Sequence, residues 1–158
     1  VLPRSENLIT IHTAGKALAA YGAFIGCSKT VKEYLVNECR HFIYTTALPP
    51  LITLQIQASI QHLLANPQIP ARLRQNIKTA HREIYPSNSQ IIALPCSGNQ
   101  ASLRLAHQLR IAGYDLRAIR FPTVAKGSEQ IRISIHADHR EEEIIRLGQL
   151  VRNQVGVA

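Results

Sequence analysis

The segment Thr13-Ala14-Gly15-Lys16-Ala17-Leu18 sets one lysine among small residues, directly after the apolar, β-branched run Leu8-Ile9-Thr10-Ile11-His12. A solvated surface lysine needs no such neighbours. An amine that must condense with a carbonyl does: small side chains leave room for a planar partner and for close backbone approach. Partial desolvation or nearby positive charge then makes the ammonium lose its proton readily. On the residues alone, Lys16 reads either as such a nucleophile or as a loop lysine closing a strand end. The segment is too short for a phosphate-binding P-loop, which needs a longer glycine-rich run before its lysine.

A second chemistry sits in Ile131-Arg132-Ile133-Ser134-Ile135-His136. Side chains alternate across a strand, so the three isoleucines take one face and Arg132, Ser134 and His136 the other. The isoleucine face belongs to a core, and a strand-held guanidinium opposite it suits a bidentate grip on a carboxylate. Plain solvent exposure is the alternative. Arg120-Phe121-Pro122-Thr123 leaves a strand for a loop, where functional groups gather, and Thr123 offers one hydroxyl, although the residues alone favour an ordinary proline turn. Tyr44-Thr45-Thr46 offers three, ahead of Pro49-Pro50, where free N–H groups of a helix start can help hold a phosphate; a β-prone strand ending in a turn is the alternative. His136 and His139 span a strand-to-helix junction, with surface or capping roles expected.

These residues must be positioned by elements the pattern predicts. Leu8–His12 reads as a buried strand, after a loop over Val1–Asn7. Ala23–Gly26 is a second strand, and Ser28 caps a helix with Val31, Tyr34 and Leu35 on one face. Phe42–Thr45 reads as extended. A helix starts at Pro49-Pro50, Asn66-Pro67 breaks it, and a second helical pattern covers Ile69–Ile84. Then follow a strand at Ile91–Leu94, a helix at Gln100–Ile111 stopped by Gly113, a strand at Leu116–Ile119 and the Ile131–Ile135 strand. The last helix covers His139–Val155, with Ile144, Leu147, Val151 and Val155 in one stripe and Asp138 with Glu141 as a capping box.

Composition bounds what these elements can serve. Hydrophobic residues make up 46% of 158, enough for a folded core. Eighteen basic residues against ten acidic give a net charge of +8. They are dispersed and mostly arginine, which serves small anionic ligands as well as nucleic acid, so no nucleic-acid partner is expected. Cys27, Cys39 and Cys96 are odd in number and unpaired in spacing, which suggests neither a disulfide framework nor a zinc site. No run is long and apolar enough for a membrane span. A cytoplasmic protein with no metal is the expectation.

Ile11-His12-Thr13-Ala14-Gly15-Lys16-Ala17-Leu18 resembles the lysine motif of the α-oxoamine synthases, a family of pyridoxal 5'-phosphate (PLP) enzymes with the aspartate-aminotransferase-like fold. Phe42–Pro50, Ile119–Val124 and Ile131–Ser134 resemble its following markers, in order and over nearly the whole chain. The resemblance implies an α/β chain forming the C-terminal part of a fold type I PLP enzyme. Residues 1–50 would end the large cofactor domain, 51–88 would be linking helices, and 89–158 a small C-terminal α+β domain.

The same resemblance assigns roles. Lys16 matches the catalytic lysine that carries PLP, and Thr13 a hydroxyl on the PLP phosphate. Thr45 or Thr46 would reach the phosphate of a neighbouring subunit, which implies a homodimer with shared active sites. Arg132 matches the arginine that binds the amino acid carboxylate, and Thr123 a substrate contact. The wording of the markers favours the branch that joins L-alanine to pimeloyl-CoA or a pimeloyl carrier protein, on the way to biotin. Glycine- or serine-using members and a non-catalytic basic binding domain are the alternatives. Two departures stand out: Ala19 where the family usually has Gly, and Phe121 where Pro is common. The family's aspartate on the pyridine nitrogen, ring-stacking histidine and glycine-rich phosphate loop have no counterpart in these residues, so the chain alone is expected to be inactive.

Overall fold

The computed structural model describes residues 5–155, the side chain of Val155 excepted. It divides into two compact units, residues 1–66 and 67–158. The division falls at the Asn66-Pro67 break, inside the stretch expected to link the domains, so one of the two linking helices belongs to each unit.

In the first unit, β1 (Thr10–Thr13) and β2 (Ala23–Gly26) form an antiparallel ribbon in which Thr10 faces Gly26 and Thr13 faces Ala23. The strand starts two residues later than its apolar run, because the partner strand ends at Gly26 and the chain then turns into a helix. It is also exposed, contrary to the expectation of a buried strand: Ile11 is 69% exposed. Two strands leave both faces open unless another layer covers them, and none of the described residues does. Helix α1 (Lys29–Glu38) is capped as expected, with the Ser28 hydroxyl accepting the Val31 N–H at 3.4 Å. Val31 and Leu35 are half-buried, while Tyr34 is exposed.

Phe42–Thr45 is not extended. Arg40–Ile43 forms the single turn α2, in which the Cys39 carbonyl accepts the N–H groups of Phe42 and Ile43, both at 2.9 Å. The Thr45 hydroxyl closes it by donating to the His41 carbonyl. These local hydrogen bonds outweigh the β-preference of the Phe-Ile-Tyr-Thr side chains. Helix α3 (Pro50–Ala65) begins at its proline as predicted.

The second unit is a two-layer α+β body. Helix α4 (Gln68–Glu83) precedes β3 (Ile91–Pro95), α5 (Asn99–Ile111), β4 (Arg117–Ile119), β5 (Gln130–Ser134) and α6 (Glu141–Val155). The three strands are antiparallel in the order β3-β5-β4, so the isoleucine strand is central. Gly113, at φ 96°, follows the end of α5. Ile131, Ile133 and Ile135 pack with Ile92, Leu94, Leu105 and Leu109 and with Ile144, Leu147 and Val151 of α6. Helices therefore cover the isoleucine face alone, and the Arg132 face stays open.

Helix α4 holds the turn between β5 and α6. The Asn76 amide donates to the carbonyls of His136 and His139, at 2.8 and 2.9 Å, and the Thr79 hydroxyl donates to Glu141. That bond takes Glu141 away from the expected capping box. The reach-back comes from Glu143 instead, whose carboxylate accepts the Arg140 N–H at 3.0 Å. His139 closes the turn before α6, accepting the His136 N–H on Nδ1 at 3.2 Å. Gly148 is set by packing: a Cβ there would lie 2.2 Å from the Glu83 carbonyl oxygen at the end of α4.

Candidate functional site

Lys16 lies in the loop joining β1 to β2. Backbone hydrogen bonds close that loop at three levels: Ala14 N–H to Gly22 O at 2.9 Å, Ala20 N–H to Ala14 O at 3.0 Å, and Ala19 N–H to Lys16 O at 2.9 Å. Ala14 and Ala20 are buried, which explains why small residues recur here. Two side chains of α3 complete the loop. The Ser59 hydroxyl donates to the Leu18 carbonyl at 2.8 Å, and the Gln55 amide donates to the Ala19 carbonyl.

The Lys16 side chain emerges from this frame exposed, with no ion pair or hydrogen bond among the described residues. Beside it, Gly15 is not required by the chain's own packing: a Cβ there would find only the Ala20 carbonyl oxygen, at 3.9 Å. Ala19 adopts φ 48°, a left-handed conformation that costs an alanine about 1–2 kcal/mol. Its departure from glycine is therefore a backbone matter.

The same unit holds three hydroxyls named from the sequence. Thr13 ends β1, exposed and without a side-chain partner among the described residues, and Thr46 is likewise free. Thr45 is committed to the His41 carbonyl.

Arg132 and Thr123 lie in the second unit. Arg132 is the middle residue of the central strand, facing Ala93 on one side and Arg117 on the other. Its side chain is exposed on the open face without an ion pair among the described residues. Arg117, directly across, is 72% exposed and bonded to Asp115 at 3.1 Å. Both arginines line a cleft of about 1200 Å³ of mixed charge, bordered by Arg140 and His136 and also by Asp115, Glu142 and Glu143. Like charges facing each other across a ladder disfavour each other, and Asp115 offsets part of the Arg117 charge.

Thr123 does not line that cleft. It is exposed in the loop after β4, where the Asn99 side chain brackets Phe121 by accepting its N–H at 3.2 Å and donating to its carbonyl at 3.4 Å. A proline at 121 would lack that donor. Cys96 is no competing nucleophile, since burial pushes its thiol up.

Gln55, Ser59, Asn99 and Arg117 were not singled out from the sequence. Gln55 and Ser59 are two of several polar residues in α3, with Thr53, Gln57, Gln61 and His62, so the pattern did not single them out. The partners of Asn99 and Arg117 become visible only in the fold.

A family model described as aminotransferase class I and II matches residues 2–149, and the chain belongs to that family. The more particular likeness is to 8-amino-7-oxononanoate synthases. The chain is 38% identical over 146 residues to those of Yersinia pestis (strain Pestoides F) and Yersinia pseudotuberculosis serotype O:3 (strain YPIII), an overlap of 88% of this chain and 38% of each relative. It thus spans well under half the length of these relatives.

The solved 8-amino-7-oxononanoate synthase of Francisella tularensis superposes with a TM-score of 0.77 at 26% identity, over 94% of this chain and 46% of its own. Serine palmitoyltransferase from S. paucimobilis, with a bound PLP–myriocin aldimine, superposes at 0.79 and 22% identity, over 95% and 41%. The Sphingomonas wittichii enzyme superposes at 0.77 and 22%, over 92% and 39%. These last two show the fold alone, and the expected α/β class of the C-terminal part of a fold type I PLP enzyme is met.

Proposed function

We propose that this chain contributes the lysine loop and the carboxylate-binding strand of an 8-amino-7-oxononanoate synthase, a PLP-dependent acyltransferase. The observation that carries the reading is the Lys16 loop. An unpaired amine stands on a hydrogen-bonded frame beside an open Gly15 position, in a chain 38% identical to two such synthases. The residues fit the cofactor: Lys16 would bind its aldehyde carbon, and Thr13 supplies a free hydroxyl for its phosphate. Of the two candidates for a neighbouring subunit's phosphate, Thr46 is favoured, because the Thr45 proton is already given to His41.

When bound, PLP supplies the electron sink for carbon acidity. Lys16 Nζ, in its neutral form, takes the Cα proton of L-alanine, being already placed beside it. Arg132 holds the alanine carboxylate, which orients the Cα–H bond first and the bond to the departing CO2 later. Over the whole reaction a C–C bond forms to the pimeloyl carbonyl, the thiol of coenzyme A or a carrier leaves, CO2 leaves, and a proton returns to Cα. Thr123 touches substrate in this reading. The domain limits at 50 and 88, the homodimer with shared sites, the cytoplasmic location and the place in biotin synthesis belong to the same proposal.

Borohydride reduction of the full-length protein with PLP, followed by peptide mapping, tests it. A reduced tag on Lys16 is expected, and Lys16→Ala should abolish it. A tag on another lysine, or none, would refute the assignment. The fold likeness to serine palmitoyltransferases keeps a serine- or glycine-using synthase as the second reading, and comparing turnover with alanine, glycine and serine separates the two.

A further inference from the structure

Ala19 is the single non-glycine residue with positive φ among the described residues. Its φ and ψ relate two peptide planes, and both planes are held at both ends. In the first, Leu18 O accepts from Ser59 and Ala19 N donates to Lys16 O. In the second, Ala19 O accepts from Gln55 and Ala20 N donates to Ala14 O. Gln55 and Ser59 are four apart, so one face of α3 reaches two successive carbonyls.

We propose that Gln55, assisted by Ser59, is a positioning residue that holds Ala19 in its left-handed conformation and thereby fixes the turn presenting Lys16. The proposal rests on the reading of Lys16 as the cofactor-bearing amine. Alanine gains by leaving this conformation, and the Gln55 and Ser59 bonds add to the two backbone bonds that oppose it. Without the Gln55 bond the plane between Ala19 and Ala20 is held at its Ala20 N–H end only, against the strain at Ala19. The Ala20 N–H then leaves the Ala14 carbonyl, and the turn that carries Lys16 opens. A glycine at 19 adopts positive φ freely and would make the clamp dispensable.

The test is a mutant cycle on the 158-residue protein, read by amide hydrogen exchange at Ala20 and by amine labelling of Lys16 relative to Lys32 and Lys78. Gln55→Ala should speed Ala20 exchange about fivefold or more, the worth of one such hydrogen bond, and shift the relative labelling of Lys16. Gln55→Glu keeps the size but cannot donate, and should do the same. Adding Ala19→Gly should bring either variant back to within about twofold of the Ala19→Gly protein alone.

Unchanged exchange in both Gln55 variants, or the same acceleration with glycine at 19, would overturn the proposal. Failure of the underlying lysine reading shows elsewhere. It would appear as no borohydride-trapped PLP on Lys16 in the full-length parent protein, with the exchange cycle unaffected.

Discussion

Arg132→Ala tests the proposed carboxylate site apart from stability. The guanidinium lies on the open face of the sheet and pairs with no carboxylate among the described residues, so its removal strands no partner. Its nearest charged neighbour across the ladder is another cation, Arg117, and losing that repulsion is worth a few tenths of a kcal/mol. Against this stands the poorer strand preference of alanine, and the net change in folding free energy should stay under about 1 kcal/mol.

The expected cost to binding is much larger. Truncating one partner of a charged, hydrogen-bonded pair costs about 2–5 kcal/mol, which at about 1.36 kcal/mol per decade is roughly 30- to 5000-fold in kcat/KM for alanine. Urea unfolding and an alanine titration of the full-length enzyme measure the two quantities. An alanine response within about threefold of the parent would remove Arg132 from the site, since even the low end of the expected loss is tenfold larger. Equal losses in stability and kcat/KM would refute the claim that the residue is structurally idle.

Two further outcomes follow from packing and charge. Gly148→Ala gains about 1 kcal/mol of helix propensity but sets a methyl 2.2 Å from a backbone oxygen of Glu83. Separating α6 from α4 also strains the Arg152 bond to that same carbonyl, now 2.6 Å, and the net loss should be about 1–3 kcal/mol by denaturant unfolding; a neutral or stabilising result would contradict the close approach. The Glu143 carboxyl is held below the usual range by the Arg140 N–H first and its guanidinium second. Its contribution is therefore full above the unfolded carboxyl value of about 4.3 and is lost as pH falls through the lower folded value. Amide protection at the start of α6 should decline with acid in that window, and Glu143→Ala should flatten the decline.

Much of this was legible in the sequence where one local rule decides the outcome. Proline placed the start of α3, Ser28 capped α1, and the alternation in Ile131–Ile135 separated the core face from the Arg132 face. Lys16 stood out because its neighbours are too small for an ordinary surface loop. The failures arose where two rules compete. Phe42–Ile43 has strand-forming side chains, yet the Cys39 carbonyl captured both N–H groups in a helical turn. Glu141 met the capping pattern, yet Thr79 of α4 engaged it and left the reach-back to Glu143.

By itself, then, the order of residues pointed to the family, most of the run of elements and the side chains able to do chemistry, because periodicity, caps and short motifs are local properties of a chain. Tertiary structure decided which of those side chains are free to act. Arg117 faces Arg132 from another strand, and Asn99 brackets Phe121 across the second unit. It also decided that Gln55 and Ser59 fasten a loop some forty residues away. Hydrogen bonds between distant segments depend on where the backbone carries their donors and acceptors, and that is fixed only when the elements pack.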